Sequence, residues 1–384
     1  MEKLRLRNPK LPTHFYTWCE PPDSSGDEVL RFVSERRRIK IKGHSFREFQ
    51  QYVLPLLDGR HSIGEIQQSV SHVFSASDVE DCLELLAAQN LLEEGQGEIS
   101  SGLGSAQTPT PQLNFLHEVG MNPLEVQERL MRSTVSIVGM SGPGAQCAVS
   151  LAVAGVGYLR CVDSLAVEQG DAYLAPLLSP AHVGMPRARA VAERIEACAP
   201  SCKTLVHDQA IGTDDEMLSA VAESHFVINC LDRGQASLAY KLNRACLKGG
   251  IRWTSGSLSG AEVVLGPTVH PFETSCYLCF KMRAVACAGN PEDEFTYERF
   301  LDQRKQDDSS KRENIIFGSG LLSNWLGLEA LKELAPIAEP SALGAIVVCN
   351  LLTMDCSKHV VLRKPWCPAC FSEPQSEAKY ERGQ

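Results

Sequence analysis

The sequence predicts an α/β protein: a mostly parallel sheet with helices on both faces, preceded by a small α+β domain. Three observations predict it. Val135–Tyr158 reads as an apolar strand, a glycine turn and a helix of small residues. Apolar strands and amphipathic helices then alternate as far as Ser255, the order that lays parallel strands under crossover helices. Residues 1–94 instead give short alternating strands followed by three helices.

Composition bounds the function. The 384 residues suffice for two or three cores. A hydrophobic content of 43% and a charged content of 22% are those of an ordinary globular protein. The net charge of -10 argues against general binding to nucleic acid or to anionic membrane. MEKLRLRNPK is charged throughout, and no run approaches the ~20 apolar residues of a membrane span. The expectation is a soluble cytoplasmic protein with neither a nucleic-acid nor a membrane partner.

In the front domain, His14–Cys19, Glu28–Ser34 and Arg37–Lys42 alternate as strands, with Ser24–Asp27 as a turn. Helices are expected over Ser45–Leu57, Ser62–Val73 and Ser77–Leu92, Ser62 and Glu65 having the spacing of a capping box. The third strand sets Arg38, Lys40 and Lys42 against apolar neighbours. That pattern reads either as a lysine-guarded solvated edge or as an edge that accepts an acidic peptide strand. Residues 95–112, rich in Gly, Ser, Thr and Pro, read as a linker to a domain over 113–372. A polar tail, 373–384, follows.

The second domain opens with an interrupted helix, Leu113–Arg132, and then the glycine turn, where Gly139, Gly142 and Gly144 could present a helix N-terminus to a phosphate. The same glycines could serve a purely structural turn. Asp163 ends the next strand, where a carboxylate could hold a ribose hydroxyl. Ser164–Pro186 reads as irregular and Arg187–Cys198 as a helix. The strand Phe226–Cys230 stops at Asp232, which could hold Mg²⁺ or cap the helix Ala236–Leu247. Strands are expected at Arg252–Ser255, Glu262–Leu265, Thr268–His270, Gly344–Leu352 and His359–Leu362, with a helix at Phe317–Leu334. Ala284–Arg312 reads as a polar excursion.

Cysteine spacing gives the sharpest signal. Of 15 cysteines, Cys276 and Cys279 form one CxxC pair and Cys367 and Cys370 another. Two such knuckles supply the four thiolates of a closed structural Zn²⁺ site. Redox pairs and unpaired thiols are the alternatives. Cys287 and Cys356 lie nearby in sequence and read as bystanders.

The glycine turn, Asp163, the helix VGMPRARAVAERI, the tripeptide CLD at 230–232, Asn243 and the paired knuckles together resemble the ThiF/MoeB family of ubiquitin-activating-type adenylyltransferases. The phrase VLPLLDGRHSIGEI and the acidic helix after it are similar to the PqqD-like peptide clamp, the RiPP recognition element. The resemblance implies a Rossmann-like domain behind a winged-helix-like clamp, and a homodimer. It also implies ATP held by Gly139, Gly142, Gly144, Asp163 and Asn243. Asp232 falls on the family's Mg²⁺ ligand and Arg187 on its catalytic lysine. Leu174 falls on its phosphate-binding arginine, where leucine supplies no charge.

Two functions follow from that resemblance. One is a maturation protein that binds a precursor's leader peptide, through Arg38, Lys40 and Lys42 among others, and presents it to a YcaO-type azoline cyclodehydratase. The other is an enzyme, like those of microcin C- and pantocin-type pathways, that activates a peptide carboxylate with ATP for intramolecular modification of the precursor.

Overall fold

Period-two alternation builds the first unit. The computed structural model describes residues 6–22, 24, 26–95, 110–231, 235–304 and 313–371. They form two units, divided between Val126 and Gln127. The first contains β1 (Pro9–Lys10), β2 (Tyr16–Glu20), β3 (Glu28–Val33), β4 (Arg38–Gly43), α1 (Phe46–Tyr52), α2 (Ile63–Ser69), α3 (Ala76–Ala88), β5 (Glu93–Glu94) and α4 (Thr110–Glu118). The strands β2, β3 and β4 form an antiparallel sheet with β2 and β4 at its edges. One face buries Leu30, Phe32 and Ile41 against Phe46, Phe49, Ile66, Leu83 and Leu86. Thr110–Gln112, read as linker, are the first turn of α4.

Capping sets where these helices begin. Ser62 accepts from the Glu65 N–H, and Glu65 reaches back to the Ser62 N–H, so the capping box closes at α2. At α3 the start differs from the expectation. Ser75 is the N-cap and pairs reciprocally with Asp78, two residues before the Ser77 start read from sequence, because Ser75 and Asp78 have the spacing at which both bonds close.

The boundary between units falls within α5 (Pro123–Arg132). Thereafter come β6 (Thr134–Val138), α6 (Gly142–Val153), β7 (Tyr158–Val162), α7 (Gln169–Leu174), α8 (Arg187–Cys198), β8 (Lys203–His207), α9 (Asp214–Val221), β9 (Phe226–Asn229), α10 (Ala236–Gly249), β10 (Trp253–Ser259) and β11 (Glu262–Leu265). The last elements are α11 (Tyr277–Ala286), α12 (Pro291–Arg304), α13 (Ile316–Leu334), β12 (Ala345–Asn350) and β13 (Cys356–Val360). Eight strands form one sheet in the order β13-β12-β11-β10-β9-β6-β7-β8. From β10 to β8 every pairing is parallel; from β10 to β13 every pairing is antiparallel. The fold class is therefore α/β with a mostly parallel sheet, as the alternation implied. No helix among the described residues is long and apolar enough to cross a membrane.

Three local readings are corrected, and one strand had no reading at all. Ser164–Pro186 is not all irregular, since it contains α7, closed by a capping box between Glu168 and Asp171. Ala284–Arg312 contains α12, fixed to α10 by Tyr240–Glu298 and Ser237–Asp302 hydrogen bonds. Thr268–His270 makes only isolated bridges. The edge strand β8 escaped notice because its side chains are mostly solvated, which leaves no buried face to read.

The caps give a discriminating test. Ser75→Ala is expected to lower the stability of the first unit by about 1 kcal/mol. Ser77→Ala should leave it within ~0.5 kcal/mol, both read from urea denaturation.

Candidate functional site

The turn between β6 and α6 is built by backbone proximity. Gly139 has φ of +95°, and a Cβ there would lie 2.5 Å from the Cys230 carbonyl oxygen. A Cβ on Gly144 would stand 2.0 Å from the Gly139 oxygen, and one on Gly142 would stand 2.4 Å from Leu174 Cβ and 2.9 Å from Ser319 Oγ. Glycine is thus required for packing at all three positions, whatever they bind. Ser141, the N-cap of α6, makes no side-chain capping bond, so the positive end of this helix is uncapped by its own residue. Ser319 Oγ, from α13, is buried beside Gly142 without a hydrogen-bond partner among the described residues. An uncapped helix end, a glycine cradle and an unpartnered buried hydroxyl fit a nucleotide phosphate.

The charged groups around the turn are engaged with one another. Asp163, just past β7, accepts from the Met140 N–H at 2.7 Å and from the Leu165 N–H at 2.8 Å. Arg187 Nη1 lies 3.6 Å from Asp163 Oδ2, and its Nε donates to Asp171 Oδ2 at 2.8 Å. The three side chains are at most 1% exposed. One guanidinium faces two carboxylates, and burial pushes the Asp163 carboxyl up against the pull of Arg187 and the two backbone donors. Leu174, at the end of α7, is 3% exposed and packs hydrocarbon against the turn. Asp171 was not singled out from sequence. A buried acid at the third position of a capping box, sixteen residues before an arginine, carries no periodic signal.

The remaining expected residues lie elsewhere. Asn243, buried on α10, accepts from the Tyr277 N–H at 3.0 Å and so holds the first turn of α11. Asp232 is outside the described residues. Arg38, Lys40 and Lys42 project from edge strand β4 on the exposed face of the small sheet. Lys42 pairs with Asp27 at 2.8 Å; Arg38 and Lys40 have no ion-pair partner among the described residues. Across the register, Tyr16 aligns with Val33 and Arg38, and Trp18 with Arg31 and Lys40. Tyr16 is 77% and Trp18 41% exposed. This face therefore joins two aromatics to a row of cations. The alternation in YTWCE held that signal in the sequence.

The four knuckle thiols converge. Cys276, Cys279, Cys367 and Cys370 are buried, with all four sulfurs within 4.8 Å of one another. Sγ–Sγ separations of 3.9, 3.8 and 3.6 Å match the ~3.8 Å edge of a tetrahedron with ~2.3 Å Zn–S bonds. The Lys364 N–H donates to Cys279 Sγ at 3.3 Å, a contact that favours thiolate there. Donor set, spacing and burial fit structural zinc, and a closed set of four thiolates offers it no reactive position.

Metal analysis of the purified chain should find about one zinc per chain. Chelation, or Cys370→Ser, should unfold the C-terminal part of the second unit at temperatures the intact protein survives. Arg187→Met, which strands two buried carboxylates, should cost about 3–5 kcal/mol of stability in chemical denaturation.

The chain is similar to known proteins in sequence and in fold. A molybdopterin-synthase adenylyltransferase of Escherichia coli is 25% identical over 248 residues, 64% of this chain and 89% of that protein. A sulfur carrier protein adenylyltransferase of Thermus thermophilus is 26% identical over 257 residues, 65% and 86% of the two chains. Among solved structures, E. coli MccB with ATP superposes with a TM-score of 0.63 at 15% identity, covering 94% of this chain and 99% of that one. The microcin C7 biosynthetic enzyme MccB in complex with N-formylated MccA gives 0.64 at 16% identity with the same coverage. The ThiF family model matches residues 111–369, and the chain belongs to the ThiF family.

Proposed function

We propose that this chain binds a ribosomal precursor peptide through its first unit and activates a carboxylate of that peptide with ATP in its ThiF domain. The observation that carries the reading is the reach of the likeness to MccB. It covers 94% of this chain, and therefore the front unit as well as the ThiF domain, in structures holding ATP and the peptide MccA. The order of three antiparallel strands and then three helices supports a PqqD-like leader clamp. The β4 edge would take the leader as an added strand, with Arg38 and Lys40 toward its acidic residues.

Activation means that a carboxylate oxygen attacks a phosphate of ATP while pyrophosphate or ADP leaves, which needs positive charge on the phosphates. In this chain the α6 N-terminus and the Ser319 hydroxyl would hold the phosphates, and Asp232 the Mg²⁺. Arg187 could add charge only by exchanging Asp171 for phosphate. Losing one such cation costs about 3 kcal/mol, a hundredfold or more in rate. The reading includes a cytoplasmic homodimer, as in the family resembled.

A specific observation favours a second reading. Leu174 at the turn and the pairing of Arg187 with two aspartates suit a domain that presents the leader to a separate YcaO-type cyclodehydratase without turning over ATP itself.

Nucleotide turnover separates the two. AMP or ADP release by the full-length chain with ATP, stimulated by a leader-bearing precursor peptide, is the expected result. Peptide binding without release would overturn the first reading in favour of the second. Reversal of charge at Arg38 and Lys40 should weaken binding of an acidic leader more than of a neutral one, in fluorescence anisotropy. Equal affinities for reversed and native chains would remove the clamp's electrostatic role.

A further inference from the structure

Outside the four-sulfur cluster, a second pair of thiols is set face to face. Cys349 on β12 and Cys356 on β13 are direct partners in the antiparallel register. The Asn350 N–H donates to the Asp355 carbonyl at 3.0 Å. Positions 350 and 355 thus form a hydrogen-bonded pair, and 349 and 356 the adjacent non-hydrogen-bonded one. In such pairs the Cα atoms stand ~4.5 Å apart with the side chains close, inside the range a disulfide spans. In their reduced form the Cys349 thiol donates to the Asn350 carbonyl at 4.0 Å and the Cys356 thiol to the Met354 carbonyl at 3.9 Å, weak bonds that a rotation of each side chain gives up. Cys349 is buried and Cys356 exposed. Cys198 and Cys287 are exposed as well, but neither lies in a strand with a thiol opposite.

We propose that Cys349 and Cys356 are a modification site, closing to an intramolecular disulfide by exchange with a low-molecular-weight disulfide. The exposed Cys356 thiol loses its proton to solvent, and the thiolate attacks one sulfur of the small disulfide. The S–S bond of that molecule breaks, a mixed disulfide forms on Cys356, and the departing thiolate takes up a proton. Cys349, deprotonated in turn, attacks the Cys356 sulfur and expels the second small thiol. Two protein thiols are oxidised and one small disulfide is reduced to two thiols. The exposed partner meets the reagent and the buried partner resolves it, a division that matches their burial. The closed bond pins the hairpin whose connection carries Leu352 and Met354, 83% and 65% exposed.

The test uses the full-length chain as purified and glutathione disulfide as the probe. Intact mass should fall by two hydrogens, a digest should yield one cross-linked species joining the segments of Cys349 and Cys356, and dithiothreitol should reverse both. Cys356→Ser and, separately, Cys349→Ala should abolish the cross-link, and Cys287→Ser should leave it intact. Metal content should be the same before and after, which excludes the knuckle cysteines as its source. A glutathione adduct that persists on Cys356 without closing would overturn the proposal, as would a cross-link between other cysteines.

Discussion

The charge arrangement around Arg187 governs what the glycine turn can do. A guanidinium at most 1% exposed sits between Asp163 and Asp171, tying the end of β7, the first turn of α8 and the start of α7 into one knot. A buried ion set of this kind contributes little net stability over apolar packing, yet breaking it is expensive. It therefore acts as a positional constraint. Because α7 is held by Asp171, its last residue, Leu174, is held against Gly142. The electrostatic environment of the turn and its covering hydrocarbon are set by the same three side chains.

That coupling frames the tension between the two functional readings. Family membership supplies the expectation of nucleotide chemistry, and the uncapped α6 terminus beside Ser319 suits an anion. The local charge does not: two acids and one arginine leave the vicinity short of positive charge while burial raises the Asp163 carboxyl. The arginine at 187 is also directional, because a planar fork suits pairing with carboxylates better than a point contact with one phosphate oxygen.

How much of this was legible from sequence varied with how many signals overlapped. The order β6–α6–β7 was readable because apolar runs, glycines and small residues all agreed over Val135–Val162. The sulfur cluster was readable because CxxC spacing is a metal signature independent of fold. Elements whose support is tertiary were not readable: α7 is six residues long and fixed by the Asp171–Arg187 contact, and α12 is an acidic helix held through Tyr240 and Ser237. Asp171 itself belonged to no pattern. The outward face of Tyr16 and Trp18 lay in plain alternation, but only the register across β3 to β4 shows that the aromatics and the cations share it.

The knuckle sulfurs join positions 91 residues apart, so a metal held there would close a very long loop. Such closure withdraws conformational freedom chiefly from the unfolded chain, and more so for longer loops. Within that loop lies α13, which packs along α6 and places Ser319 at Gly142. A metal held by the knuckles would thereby bear, through chain topology, on the segment that sets Ser319 beside the glycine turn.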